Sequence, residues 1–391
     1  MTKIITCGKC DKSFWCLFLA YFIITLLNSF CHIFSNFPKY LNKKEYILIR
    51  PFLIYFGQLL MFFYELIFNK ITLSKIDISS NYKEKNESNQ NKKKKKTIII
   101  FGTICTLLLL IDTYKICTLL LLFTKFSYLN FIILIKGWTF VFLFLIIINT
   151  YYLKINIYIH QKFAIFIIII LGFASVLIGI IFKKTIDGED YVLTFIRILV
   201  SFAEAFIIIL IKDIMENKFY SPIKVCYLIG LINFIISFII LFILSFIKYD
   251  SKIIFDISFN IEYKGVLFFI LFVIVFSLIN GISRLLINII LNKYSILHLS
   301  IFFKIDASLD LSLIIIDKDY FKQSEQYNYI IELFLQLIEY LMYLVFLEII
   351  ELNFCGLNKY LKNNIQNRAI DEYKEIEKEE KGKNDLKFNF D

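Results

Sequence analysis

Residues 167–182 read IIIILGFASVLIGIIF, a run long enough to cross a bilayer core for most of its depth and without a charged side chain. A helix of that length in a water-soluble protein carries a polar stripe opposite its buried face, and this one has none. Similar blocks recur along the chain, which is 59% hydrophobic and 19% charged over 391 residues. Soluble domains run at about 45–50% apolar and about 25% charged. Strands of an outer-membrane barrel would alternate polar and apolar residues over about ten positions, and these blocks do not alternate. The fold class that remains is an all-α polytopic membrane protein.

The breaks between apolar blocks predict about ten transmembrane helices, near 14–34, 46–69, 97–122, 126–150, 162–182, 190–213, 222–247, 265–289, 295–316 and 328–352. Eight to ten is the range. Asp112, Lys115 and Lys125 interrupt what is otherwise one long stretch across the third and fourth spans, and Lys304, Asp306 and Asp310 weaken the ninth. The first span is too long for the apolar core of a cleaved leader. An even number of crossings puts both termini on one side. Basic residues gather at 1–13, in the loop 70–96 and in the charged tail 353–391, so the positive-inside rule places both ends in the cytosol. Within that loop Lys92, Lys93, Lys94, Lys95 and Lys96 stand directly before a span. They read either as a solvated topology signal or as a contact for anionic lipid.

The residue usage, rich in Ile, Phe, Asn and Lys with only 12 Gly and 3 Pro, reads as the AT-rich coding bias of a microbial eukaryote. An endomembrane (Golgi, ER or vacuolar/lysosomal) is the expected location. The net charge of +10 lies in loops and is not a nucleic-acid signature. Eight scattered cysteines suggest membrane thiols rather than a disulfide framework. Cys7, Cys10 and Cys16, close to the first span, are candidates for palmitoylation.

Membrane enzymes need convergent polar chemistry, and little is visible. His32, His160 and His298 lie far apart, and Cys7-x-x-Cys10 has no second pair to complete a zinc site. No phosphate-cradling glycine loop or nucleophile elbow occurs. The acidic run Asp187-Gly188-Glu189-Asp190, in the predicted loop between the fifth and sixth spans, would suit the metal of a lipid-linked-sugar transferase, but a short charged turn is the favoured reading. The expectation is a chain that is not an enzyme and binds no cofactor or metal.

Ionisable residues inside the spans carry more information: Asp112, Lys136, Arg197, Glu204, Lys304, Asp306, Asp310 and Glu339. Each costs about 2.5–3.5 kcal/mol at a helix centre on insertion scales, so each requires a partner or a watery cavity. Arg197 and Glu204 lie two turns apart on one face, and Asp306 and Asp310 are an i, i+4 pair. Internal pairing, for example Lys136 with Asp112 or Arg284 with Asp306, accounts for individual residues. A polar central cavity accounts for the whole set, as at the midplane site of a carrier.

Asp112, then Ile135-Lys136-Gly137 one span later, then a fifth span marked by Gly172 and Gly179, resembles the drug/metabolite transporter superfamily. Within it the pattern is most similar to the nucleotide-sugar-transporter-like solute carriers, orphan branch. Ser221-Pro222-Ile223-Lys224 followed by Gly230-Leu231 resembles the entry to that branch's seventh span, with Ile229 where the branch has Glu and Asn233 where it has a second Gly. The resemblance covers roughly 97–247. It implies two inverted five-helix repeats, 14–185 and 186–352, around a cavity open to either side in turn. It also implies that Lys136 meets a substrate phosphate or carboxylate first, with Asp112 orienting it. Arg197, Glu204, Lys304 and Asp306 complete the expected substrate-binding set.

The expected function is alternating-access transport of a small, anionic organic metabolite, a nucleotide sugar or a relative. A second copy of the chain and the bilayer are the other candidate partners. The alternatives are a non-transporting receptor or structural membrane protein and, third, the lipid-linked-sugar transferase.

Overall fold

The computed structural model describes residues 12–35, 43–73, 87–124, 128–152, 157–182, 188–249, 252–253, 263–294, 296–305 and 326–350. They form α1 (Lys12–Ser35), α2 (Lys43–Leu73), α3 (Glu87–Thr124), α4 (Tyr128–Tyr152), α5 (Ile159–Phe182), α6 (Gly188–Asn217) and α7 (Pro222–Phe246). A two-stranded hairpin follows, β1 (Lys248–Tyr249) and β2 (Lys252–Ile253), paired antiparallel with Lys248 opposite Ile253. Then come α8 (Tyr263–Lys293), α9 (Ile296–Ile305) and α10 (Gln326–Phe346).

Seven of these helices, α1, α2, α3, α5, α6, α7 and α8, are long and apolar enough among the described residues to cross a membrane. Their outward faces are as apolar as their inward ones. On α5, Phe166, Ile170, Phe173, Leu177 and Ile181 recur every three to four residues on the exposed side, with Phe173 67% and Ile181 73% accessible. Ala164, Ile168 and Ser175 are buried on the other side. A stripe of that kind is untenable in water and is what a lipid-facing surface requires.

Two predicted features shift. α3 begins at Glu87, so the backbone of Lys92–Lys96 is helical where the sequence suggested a loop to residue 96. Lysine has good helix propensity, and the run simply extends the apolar helix behind it. Lys96 is exposed. Likewise α6 begins at Gly188, so the backbone of Glu189 and Asp190 is helical rather than part of a loop. Asp187, Asp306, Asp310, Cys7, Cys10 and the tail from 351 lie outside the described residues.

Local chemistry explains several boundaries. At α7, Ser221 is the N-cap, its side chain accepting from the Lys224 amide at 3.1 Å, and Pro222 opens the helix where its missing N–H costs nothing. The α6–α7 turn is closed by Phe219 in the left-handed region (φ 57°).

In the packing, α2 lies against both α7 and α8. Glycines make this close approach possible: a β-carbon on Gly57 would run into the Ser277 carbonyl, and one on Gly230 into Gln58 and Leu59. Elsewhere α3 and α4 pack on α6, α5 on α10 and on α4, and α1 on α8. α1 also meets α9 through an aromatic cluster, Phe14 and Tyr21 each edge-on to Phe302 with ring centres 5.7 and 5.3 Å apart.

Candidate functional site

One turn of α4, residues 136–139, organises the buried polar chemistry. Lys136 and Thr139, three residues apart, share one face of the helix, while Gly137 and Trp138 turn to others. The first face looks towards α9 and α10. There the Lys136 ammonium lies 2.8 Å from Glu339 and 3.0 Å from Glu332, both on α10. Lys304 of α9 reaches Glu339 at 2.9 Å and the Thr139 hydroxyl at 3.3 Å. Thr139 in turn donates to the second Glu339 oxygen. All four charged groups are essentially inaccessible, and two cations face two carboxylates, so the quartet is balanced.

The Gly137 side of α4 faces α6. The guanidinium of Arg197 fills the space a β-carbon at Gly137 would need, and the Ser201 hydroxyl donates to the Gly137 carbonyl at 3.2 Å. Arg197 pairs along its own helix with Glu204 at 3.3 Å. The other Glu204 oxygen meets Lys115 of α3 at 2.9 Å. Lys115 is the most accessible member, and its ammonium lies 5.9 Å from the Trp138 ring centre. Trp138 stacks on Phe303 at 4.0 Å, so a single ring ties the two groups of charges together.

Asp112, one turn before Lys115, accepts a hydrogen bond from Tyr55 of α2. Arg284 of α8 is within electrostatic reach of both Asp112 and Glu204, and Arg50 of α2 of Asp112. This second group therefore collects Arg50, Lys115, Arg197 and Arg284 against Asp112 and Glu204.

Of the residues singled out in the sequence, Arg197 and Glu204 come together as their seven-residue spacing suggests, and Lys304 joins Lys136 around one carboxylate. The expected pairing of Lys136 with Asp112 is corrected: Lys136 is held by Glu332 and Glu339, and Asp112 by Tyr55. The physical reason is that Lys136 points to the α9–α10 side of α4, away from α3. Asp306, and with it the suggested pair with Arg284, lies outside the described residues. Glu332 was not anticipated. Its signal was present in the spacing of Glu332, Gln336, Glu339 and Tyr343, a polar stripe four, three and four residues apart, all four buried. Lys115 was noticed only as an interruption of an apolar run.

No protein-family model and no curated protein matches this chain. What the fold defines is a class, a helical multi-pass membrane protein, here with ionisable side chains concentrated inside the bundle.

Proposed function

We propose that the chain is an alternating-access carrier of a small anionic organic metabolite, with nucleotide sugars and related phosphorylated compounds first among its substrates. The observation that carries this reading is the charge imbalance of the group around Arg197. Among the described residues, four basic groups face two carboxylates there, a formal excess of two positive charges within that set. Uncompensated charge at that depth costs several kcal/mol, and a bound dianion would remove the imbalance. Arg197 supplies a planar fork suited to phosphate or carboxylate, and the more accessible Lys115 supplies a mobile point charge. In this reading the anion is received by Arg197 and Lys115 and displaces Glu204 from them. Asp112 and Tyr55 form the opposite wall. Lys136 and Lys304 act from behind, through the shared turn of α4.

Helix partnerships support a two-repeat arrangement. Shifting every helix number by five turns α3·α6 into α8·α1, α4·α6 into α9·α1, and α2·α3 into α7·α8, all of which pack together. It leaves α2·α7 and α5·α10 unchanged. Five crossings per half would invert the second half relative to the first, the construction that lets one half rock on the other about a midplane site. Substrate would shift that equilibrium only by its differential affinity for the two states.

The test is counterflow exchange in vesicles reconstituted with the full chain and loaded with orthophosphate, sugar phosphates, nucleotides, nucleotide sugars or organic acids. One anionic class is expected to exchange, and Arg197→Gln to reduce that exchange by at least about tenfold, the equivalent of roughly 1.4 kcal/mol. Exchange of the same size in Arg197→Gln would reject this site.

A further inference from the structure

One end of the bundle is drawn together on Tyr294, the residue that follows α8. Its hydroxyl shares a hydrogen bond with Ser13, in the first turn of α1, at 2.7 Å. The ammonium of Lys293 donates to the same Ser13 hydroxyl. The Tyr294 ring stands edge-on to Phe14 of α1 with centres 5.3 Å apart, and its centre lies 5.8 Å from that of His298 on α9. The Tyr294 carbonyl accepts from Lys212, near the end of α6, at 2.8 Å. The same ammonium reaches the Leu291 carbonyl at 2.9 Å and Glu216 at 3.2 Å. A cation on the last carbonyls of a helix is favoured by the helix dipole. Four helices, α1, α6, α8 and α9, thus meet at one residue.

A second tie holds α1 further along. Fifteen residues on from Ser13 and fourteen back from Tyr294, Asn280 donates to the Asn28 carboxamide oxygen at 3.1 Å. The two ties share one antiparallel register and lie about 22 Å apart along the helix. They differ in surroundings. Ser13 and Tyr294 are only partly buried, where water replaces a broken hydrogen bond, so theirs breaks and re-forms at little net cost. Asn280 is buried, where losing a partner is costly. The outward face of α1, with Trp15, Leu19, Ile23 and Leu27, is exposed. In a bilayer that face meets lipid, which yields to a moving helix as packed protein does not.

We propose that Tyr294 is a latch that holds this end of the bundle closed and answers to α6. Its hydroxyl and ring keep the first turns of α1 on α8 and α9, and its carbonyl ties that closure to Lys212. Arg197, Glu204 and Lys212 stand along the one helix α6. A shift of α6, as an anion displaces Glu204, draws Lys212 off the end of α8. Tyr294 then releases Ser13, and α1 swings out about the Asn28–Asn280 tie, opening a path from that end. The element with two states is the Ser13–Tyr294 contact, made or broken, and both α1 and α6 bias it. The part played by the anion rests on the carrier reading above, whereas the latch between α1 and α6 stands without it.

Spin labels on genetically encoded unnatural side chains, placed at the exposed positions Lys12 of α1 and Lys224 of α7, test the latch. The distance between them is measured in the lipid-reconstituted full chain with every native cysteine in place. Tyr294→Phe keeps the ring and removes the hydroxyl. It is expected to raise the population of the longer distance at least about threefold, the scale on which loss of one such bond acts. Ser13→Ala and Lys212→Gln are expected to do the same. Gln161→Ala, which removes a tie between α5 and α10, should leave the distribution as it was. If Tyr294→Phe does not yield monodisperse protein, Ser13→Ala decides. An unmoved distribution in Tyr294→Phe and Ser13→Ala overturns the latch, and one unmoved in Lys212→Gln alone overturns its tie to α6. An equal shift in Gln161→Ala overturns both, as a general loosening. Neither reading depends on the other's assay: a moving α1 without anion exchange rejects the carrier alone, and exchange without that movement rejects the latch alone.

Discussion

Arg197 and Gly137 are a lock made of one side chain and one missing one. The guanidinium lies where any β-carbon at position 137 would be, which holds it towards Glu204 rather than letting it extend along α4. Gly137→Ala should therefore displace Arg197 and weaken its pairing with Glu204. Overpacking of this kind costs roughly 1–3 kcal/mol, and a thermal melt of the purified variant measures it. Because the damage falls on Arg197, the variant should also lose anion exchange, whereas Gly102→Ala on α3, with open space around it, should leave both unchanged. An unaltered melt in Gly137→Ala would mean the guanidinium has room to move elsewhere.

Helix by helix, the tightest joint is α2 between α7 and α8. Gly57→Ala sets a methyl group against the Ser277 carbonyl, a backbone atom that cannot swing aside, so a loss of roughly 1–3 kcal/mol is expected. Separation of α2 from α8 should accompany it, visible as reduced crosslinking between cysteines placed on the two helices. The α6–α7 turn makes the opposite prediction. Phe219 is 89% exposed and sits at φ 57°, so its side chain contributes little packing while its β-carbon pays the left-handed penalty of roughly 1–2 kcal/mol. Phe219→Gly should raise the melting temperature, with a gain of about 1 kcal/mol after the glycine's own entropy is counted. An unchanged or lowered melt would show that the ring has a partner in the bilayer interface.

Across the whole molecule, what could be read from the residues was set by the range of the physics. Helix positions depend on local hydropathy, and most apolar blocks lie within a few residues of the helices observed, as with 222–247 against Pro222–Phe246, whereas the polar first turns of α3 from Glu87 carry no hydropathy signal. The Arg197–Glu204 pair was legible because both residues lie on one helix. Lys136 and Glu339 are 203 positions apart, and nothing in either neighbourhood encodes that α4 meets α10. Charge also obscures the helices that carry it. Lys304 sits in the span weakest by hydropathy, and the stripe of Glu332, Gln336 and Glu339 is hidden in a segment otherwise dominated by Leu, Ile and Tyr. The hairpin after α7 is not legible in the sequence, since two-residue strands leave no periodicity to detect.

The central claim is that the positive excess around Arg197 exists to receive an anion. Thermal denaturation of the purified full chain, titrated in turn with orthophosphate, sugar phosphates, nucleotide sugars, dicarboxylates and a neutral sugar, tests it most directly. A ligand that binds only the folded state raises the melting temperature by mass action. The account predicts a saturable rise with one class of doubly charged anion, none with the neutral sugar, and loss of the rise in both Arg197→Gln and Lys115→Gln. A rise of equal size in those variants, or none with any anion, would contradict it.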